Sequence, residues 1–413
     1  MSDWSEHYAT RVSHMQASEI RELLKLLNQP DIISFAGGIP DPALFPSQDI
    51  AAAYQRILAD PAEAATALQY SISEGYLPLR EWLAGYMGRL GVPCTAENIL
   101  ITNGSQQGLD FIGKLFISPG DSVLVAWPTY LGALQAFSSY EPRFDVLPGP
   151  DSNRTMASYA AQGTPKPKFG YVMPEFQNPT GTSLSLAERE RLLDVAAELD
   201  LPLVEDCAYE KLRYDGERVP SLLALAAARA GGIDRCKVLY CGTFSKSIVP
   251  ALRIGWIVAA KPVIQKLVLM KQASDLHVST LNQMVMHEVA SARIEDLADK
   301  MRQVYRERRD AMLAALDRYM PEGVTFTRPE GGMFVWATLP DEIDGAELLK
   351  RCIEEGRVAF VPGNAFFADR SRRNTIRLSF SLNQPARIEE GIKRLASILE
   401  RVSSQIGLTR RAG

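Results

Sequence analysis

The stretch YCGTFSKSIVPALRIGW, Tyr240 to Trp256, places two hydroxyls (Thr243 and Ser245), a lysine (Lys246) and an arginine (Arg253) within otherwise apolar sequence. A lysine close to other cations and partly withdrawn from water gives up its proton more easily. Only the unprotonated amine can attack a carbonyl carbon. A guanidinium donates two hydrogen bonds in a fork, and a hydroxyl donates one. The knot therefore combines a candidate nucleophile with a group of donors.

The elements around it show where such groups would meet. NILIT, SVLVAW, FGYVMP, LPLVED, KVLYCG and RIGWIVA are apolar runs of strand length, and helical patterns such as SQQGLDFIGKLFI and LAERERLLDVAAELD lie between several of them. Continuous apolar strands separated by helices predict a mostly parallel sheet covered on both faces. Ligands of such sheets bind outside the carboxyl ends of the strands. Polar groups fall at those ends: Ser105 and Gln106, then Tyr130, then Glu175, Gln177 and Asn178, then Glu205, Asp206 and Tyr209, and last Thr243, Ser245 and Lys246. After about Leu281 the pattern changes to a long charged helix through DKMRQVYRERRDAMLAALDRYM. Strand-like VTFTRP, GGMFVWATL and TIRLSFSL and two further helices follow, as expected of a smaller α+β unit.

Global features narrow the reading. At 413 residues, two domains are the default. The net charge of −4 gives no electrostatic reason to expect nucleic acid. The N-terminal residues lack the apolar core of a signal peptide, and no apolar run is long enough to span a bilayer, so no membrane association is expected. The five cysteines are scattered and odd in number, which suits a reducing, cytoplasmic location. The four histidines do not pair at metal-ligand spacing, and no metal is expected. GLDFIGKL approaches a phosphate-loop pattern, but Leu115 stands where a magnesium ligand is needed. No Gly-x-Gly-x-x-Gly follows a strand, which argues against a dinucleotide enzyme.

NGSQQGL, QNPTG, VEDCAYE, TFSKSIVPALRIGW and TIRLSFS occur in this order. Together they resemble the fold-type I aminotransferases that depend on pyridoxal 5'-phosphate (PLP). SFAGGIPDPALFP, QYSISEGYLPLREWL, KQASDLHVSTLNQM, RPEGGMFVW and VAFVPGNAFF are similar to the 2-aminoadipate/kynurenine aminotransferase branch. The resemblance implies an α/β fold: a large PLP-binding domain over 46–285, a small α+β domain over 286–413, and an N-terminal helix and arm over 1–45 at the mouth of the pocket. It also implies a homodimer with shared active sites.

On this resemblance Lys246 carries PLP covalently and, once freed by substrate, moves the α-proton. Thr243 and Arg253 hold the phosphate, with Ser105 and Gln106 completing the cradle at a helix N-terminus. The family more often has serine at the Thr243 position, and the hydroxyl is kept. Asp206 faces the pyridine nitrogen and keeps it protonated. Glu205, on the opposite face of the strand, is the rival that spacing alone leaves open. Asn178 and Tyr209 serve the cofactor's phenolate oxygen, Tyr130 stacks on its ring, and Tyr70 reaches the partner's phosphate. Arg377 clamps the substrate α-carboxylate, Asn178 lies beside the substrate, and Gly38 leaves room for its backbone. In the helix expected over MQASEIRELLKLL, Arg21 meets the distal carboxylate of acidic substrates or, on the plainer reading, is simply solvated.

The expected activity is amino transfer between a 2-aminoadipate-like or broader range of amino acids and 2-oxoglutarate, by a ping-pong mechanism. A PLP-dependent β-lyase or decarboxylase would use the same residues. A PLP-binding transcriptional regulator would need a DNA-binding module, and the short stretch before Ser34 shows neither a helix-turn-helix pattern nor a basic surplus.

Overall fold

The computed structural model describes residues 4–15, 31–147 and 166–405. The helix expected over 15–27 falls, from residue 16 on, outside the described residues, and Arg21 with it.

The chain enters through β1 (Ile33–Ser34) and then builds a central sheet from β2 (Ile99–Asn103), β3 (Ser122–Val125), β4 (Arg143–Val146), β5 (Gly170–Val172), β6 (Leu203–Asp206), β7 (Val238–Thr243) and β8 (Ile254–Val258). These lie in the order β2-β8-β7-β6-β5-β3-β4. All neighbours are parallel except β8, which runs against both β2 and β7. The expected mostly parallel sheet is present, and its apolar strands are buried on both faces, as a helix-covered sheet requires. Sequence supplies the helix boundaries locally. Ser185 and Glu188, for instance, form a reciprocal capping box that starts the helix Leu186–Glu198.

Register decides what gathers at the carboxyl edge. Asn103 pairs with Ile254, and Thr243 pairs with Gly255. The start of β8 therefore sits between the ends of β2 and β7. This brings Arg253, just before β8, beside Ser105, just after β2, and beside the Thr243–Lys246 turn.

A helix of 40 residues, Thr280–Tyr319, follows. Its early apolar residues, such as Met284, Val285 and Val289, join the core under the central sheet with Ile99 and Val258. Its later ones, such as Tyr305, Met312 and Leu316, join a second core with Phe334, Val335 and Leu395. The division expected at 285/286 therefore falls inside one continuous helix.

The C-terminal part forms β9 (Thr325–Phe326), β10 (Phe334–Thr338), β11 (Val358–Ala359), β12 (Val361–Pro362) and β13 (Thr375–Ser379). β12, β13, β10 and β9 make an antiparallel sheet in that order, and β11 pairs in parallel with β1. Arg377 lies on the interior strand β13, opposite Trp336 on one side and Val361 on the other. Among the described residues, no helix is long and apolar enough to cross a membrane.

Candidate active site

At the carboxyl edge of the central sheet lies a cavity of about 240 Å³, bordered by Lys246, Asp206, Tyr209, Asn178, Thr243 and Arg253 together with Ser105, Gln106, Tyr130, Gly38 and Arg377. Most of the residues singled out by the sequence thus meet in one place; Glu175, Gln177, Glu205 and Tyr70 do not border it, and Arg21 lies outside the described residues. Tyr70 does not border the cavity of its own chain. It is 80% exposed, with its ring edge-on to His277.

Lys246 enters from the turn after β7. Its Nζ donates to the Gly38 carbonyl at 2.9 Å. Burial, then the nearby charges of Arg377 and Arg253, lower its pKa from the ordinary lysine range to about 8. A substantial neutral fraction is therefore present near physiological pH.

Asp206 ends β6. Its Oδ2 accepts the Tyr171 hydroxyl at 2.8 Å, while its Oδ1 is buried without a partner. Burial raises its pKa to about 6, against hydrogen bonds from Tyr171 and the Ala208 backbone that favour the charged form. Glu205 turns to the other side of the strand and accepts the backbone N–H groups of Leu222 and Leu223 at 2.7 and 3.0 Å, at the start of the helix Leu222–Ala230. Of the two neighbours, only Asp206 borders the cavity.

Arg377 is 1% exposed. Its Nη1 donates to Asn178 Oδ1 and its Nη2 to the Ala36 carbonyl, both at 2.8 Å, and its Nε is buried without a partner. The guanidinium lies 4.3 Å from the Phe334 ring centre and 5.0 Å from that of Phe366. No carboxylate pairs with it among the described residues. Burial lowers its pKa to about 10, which still leaves it a cation at neutral pH. A buried, uncompensated cation is costly unless an anion arrives.

At the anion cradle, the helix Ser105–Phe116 begins from Gly104 with no side chain capping its first turn. Gly104 has a φ of +77°, and a side chain there would run into the Arg253 guanidinium. Thr243 Oγ1 donates to Ser245 Oγ at 2.9 Å, and Ser245 borders the cavity as well. Ser245 stands in the TFSK motif, but the resemblance assigns it no role there. The Gln106 side chain is engaged elsewhere: Nε2 donates to the Gly132 carbonyl at 2.6 Å, tying down the start of the helix Leu131–Ser138, which follows Tyr130 directly.

Two readings are refined. A Cβ on Gly38 would come 2.6 Å from Phe334 Cζ, so this glycine makes way for Phe334 in addition to bordering the cavity. Glu175, at the rim in sequence, faces away and pairs with Arg189 at 2.5 Å and Arg213 at 2.6 Å, clamping the loop that carries Asn178.

Lysine, aspartate and arginine in these states, beside a helix N-terminus and a forked cation, are the equipment of an amino-group-transferring enzyme. The chain matches the family described as aminotransferase class I and II over residues 30–395 and belongs to that family. It is 45% identical over 401 residues to a 2-aminoadipate transaminase of Thermus thermophilus, covering 96% of this chain and 97% of the relative. It is 43% identical over 407 residues to an aromatic-amino-acid aminotransferase of Thermococcus litoralis, covering 96% and 95%. Among solved structures, an α-aminoadipate aminotransferase of Thermus thermophilus, complexed with N-(5'-phosphopyridoxyl)-L-leucine, superposes with a TM-score of 0.87 at 43% identity, covering 98% of this chain and 100% of that one.

The protein is a PLP-dependent aminotransferase of fold type I. The cavity suits the cofactor chemically. Asp206 offers an unpaired buried oxygen to a protonated ring nitrogen, the uncapped helix start and Arg253 suit a phosphate, and Lys246 offers an amine of lowered pKa.

Proposed function

We propose that the enzyme moves an amino group between 2-oxoglutarate/glutamate and a second α-amino acid, 2-aminoadipate or another donor with a long side chain. The observation that carries this reading is Arg377, a buried guanidinium with a free Nε and no carboxylate of its own among the described residues, bordering the same cavity as Lys246. Such a group seeks a substrate carboxylate, and every α-amino acid and 2-oxo acid brings one. The acidic and aromatic donors named for the two relatives support a pocket that accepts long side chains.

In this reading PLP, when bound, supplies an electron sink for the bond broken at the substrate α-carbon. Lys246 Nζ takes the α-proton and later returns a proton. Its lowered pKa keeps part of it neutral for the task. Arg377 orients the substrate through its fork, itself held by Asn178 and by the rings of Phe334 and Phe366. Asp206 holds the ring nitrogen's proton. Asn178 and Tyr209 serve the phenolate oxygen, and Tyr130 covers the ring. Ser105, the backbone at Gln106, Thr243 and Arg253 hold the phosphate.

The working unit is a homodimer in the cytoplasm. Leu68, Tyr70 and Ile72 are 70%, 80% and 53% exposed and lie close together in sequence, as a self-association surface would have them. In the dimer, Tyr70 belongs to the neighbouring active site. The test is a panel of amino donors with 2-oxoglutarate, read by glutamate formation. Turnover of 2-aminoadipate and long-chain donors is expected; glutamate formed from none of them overturns the reading.

A further inference from the structure

The two oxygens of Asp206 stand in different situations. Oδ2 accepts from the Tyr171 hydroxyl at 2.8 Å, and Oδ1 is buried without a partner. We infer that Tyr171 is a positioning residue for the reaction: its hydroxyl holds Asp206 by one oxygen and leaves the other aimed at the cofactor's ring nitrogen. The inference rests on the reading of Asp206 given above.

Register explains how Tyr171 reaches it. In the parallel β5–β6 pair, Tyr171 lies opposite Val204. Partners in a ladder share a face, and residues two apart on one strand share it too, so Tyr171, Val204 and Asp206 lie on the same side of the sheet. The Tyr171 ring meets that of Phe137 edge-on at 5.7 Å. Phe137 belongs to the helix Leu131–Ser138, whose N-cap is Tyr130. One side chain thus holds the carboxylate at its tip and supports, through its ring, the helix that carries Tyr130. The Tyr171 ring is fully buried, so its place is set by packing before any ligand arrives.

The hydroxyl stays a donor at working pH, because burial and the Asp206 charge push its ionisation well above the ordinary tyrosine range. Tyr130, Tyr209 and Cys241 also lie close enough to feel the Asp206 charge. The Ala208 backbone is its other hydrogen-bond donor, and Lys246, Arg253 and Arg377 border the same cavity. Removing the Tyr171 hydroxyl takes away a bond that favours the carboxylate over the acid.

The experiment measures PLP dissociation from the full-length holoenzyme by equilibrium dialysis across about pH 5 to 8, for wild type, Tyr171→Phe, Asp206→Asn and the double variant. Tyr171→Phe keeps the ring and its packing. It is expected to weaken PLP binding roughly tenfold at neutral pH and to move the acidic limb of the affinity profile to higher pH. In the Asp206→Asn background the same change is expected to do little. Loss of thermal stability with an unmoved acidic limb would mean that Tyr171 only packs, and the inference falls. An equal weakening by Tyr171→Phe with and without Asp206 overturns it as well. If Asp206→Asn itself leaves PLP binding and its pH profile intact, the reading of Asp206 fails instead.

Discussion

Glu205 and Asp206 are consecutive on β6 and serve opposite sides of the sheet: Glu205 caps two backbone N–H groups of a helix, and Asp206 leaves Oδ1 unpaired at the cavity. Their alanine variants should therefore fail differently. Glu205→Ala strands two buried donors at about 1–3 kcal/mol each. It should lower the Tm while the remaining folded protein keeps PLP. Asp206→Ala should keep its fold and lose turnover by roughly 100-fold or more. Thermal melts beside steady-state rates separate the two, and the reverse pattern would mean that the roles are exchanged.

Lys246 should be the site of covalent PLP attachment. Borohydride reduction of the yellow protein, followed by peptide mass spectrometry, is expected to place the adduct there. An adduct on Lys271, which is fully buried in an ion pair with Asp275, would overturn this.

The pH dependence of that attachment follows from the causes of the lysine's shift. Attachment needs the neutral amine, so its rate in the apoprotein should rise with pH and level off above the lysine pKa of about 8. Arg377→Leu removes a positive charge that disfavours protonation of Lys246. The midpoint should move upward, and stopped-flow absorbance reads it. A downward movement contradicts the electrostatic account.

Arg377→Ala should lower kcat/KM for every amino donor alike, by roughly 100-fold, since it removes charge-assisted hydrogen bonds common to all of them. Arg21→Ala should act on one class only. A loss of roughly 10- to 100-fold is expected for 2-aminoadipate and glutamate, with leucine little changed. Equal losses across both classes would make Arg21 a structural residue of its segment.

Shared sites have a direct test. Tyr70→Ala and Lys246→Ala should each be inactive, and mixed hybrids should recover part of the activity, because one site in each hybrid dimer carries both wild-type residues. Hybrids that form and stay inactive remove Tyr70 from the neighbouring site.

Six strands of the central sheet are legible in the sequence because strands buried on both faces write themselves as continuous apolar runs, and five of these runs end in a short polar motif; the edge strand β4, RFDV, is partly exposed and carries no such run. Strand order is not legible. β8 pairs with its sequence neighbour β7, but its pairing with β2 joins Asn103 to Ile254 across more than a hundred residues, and this placement brings Ser105 beside Arg253. The long helix announces itself only through its charged half, whereas it starts at Thr280. Its first turns are buried on several sides, Gln283 included, and carry far fewer charges than the later ones. Alternation in TIRLSFSL puts Arg377 on the polar face of its strand, but all five residues of β13 are buried, and only the packed structure shows the arginine enclosed by Phe334 and Phe366. Tyr171 is hidden for a simpler reason. Within an apolar run, a tyrosine that donates to a carboxylate reads the same as one that fills a core.

Arg377 holds the Ala36 carbonyl, and Lys246 holds that of Gly38. A chain made from its N-terminus carries the segment around Ala36 and Gly38 out of the ribosome long before either partner exists. β1 likewise waits for β11. The central sheet can pair while synthesis continues, but the wall of the catalytic cavity closes only after β13 has emerged. A nascent chain stalled before Arg377 would present the amine without the clamp. Ribosome-bound intermediates of this protein should therefore be able to capture cofactor before they can orient a substrate.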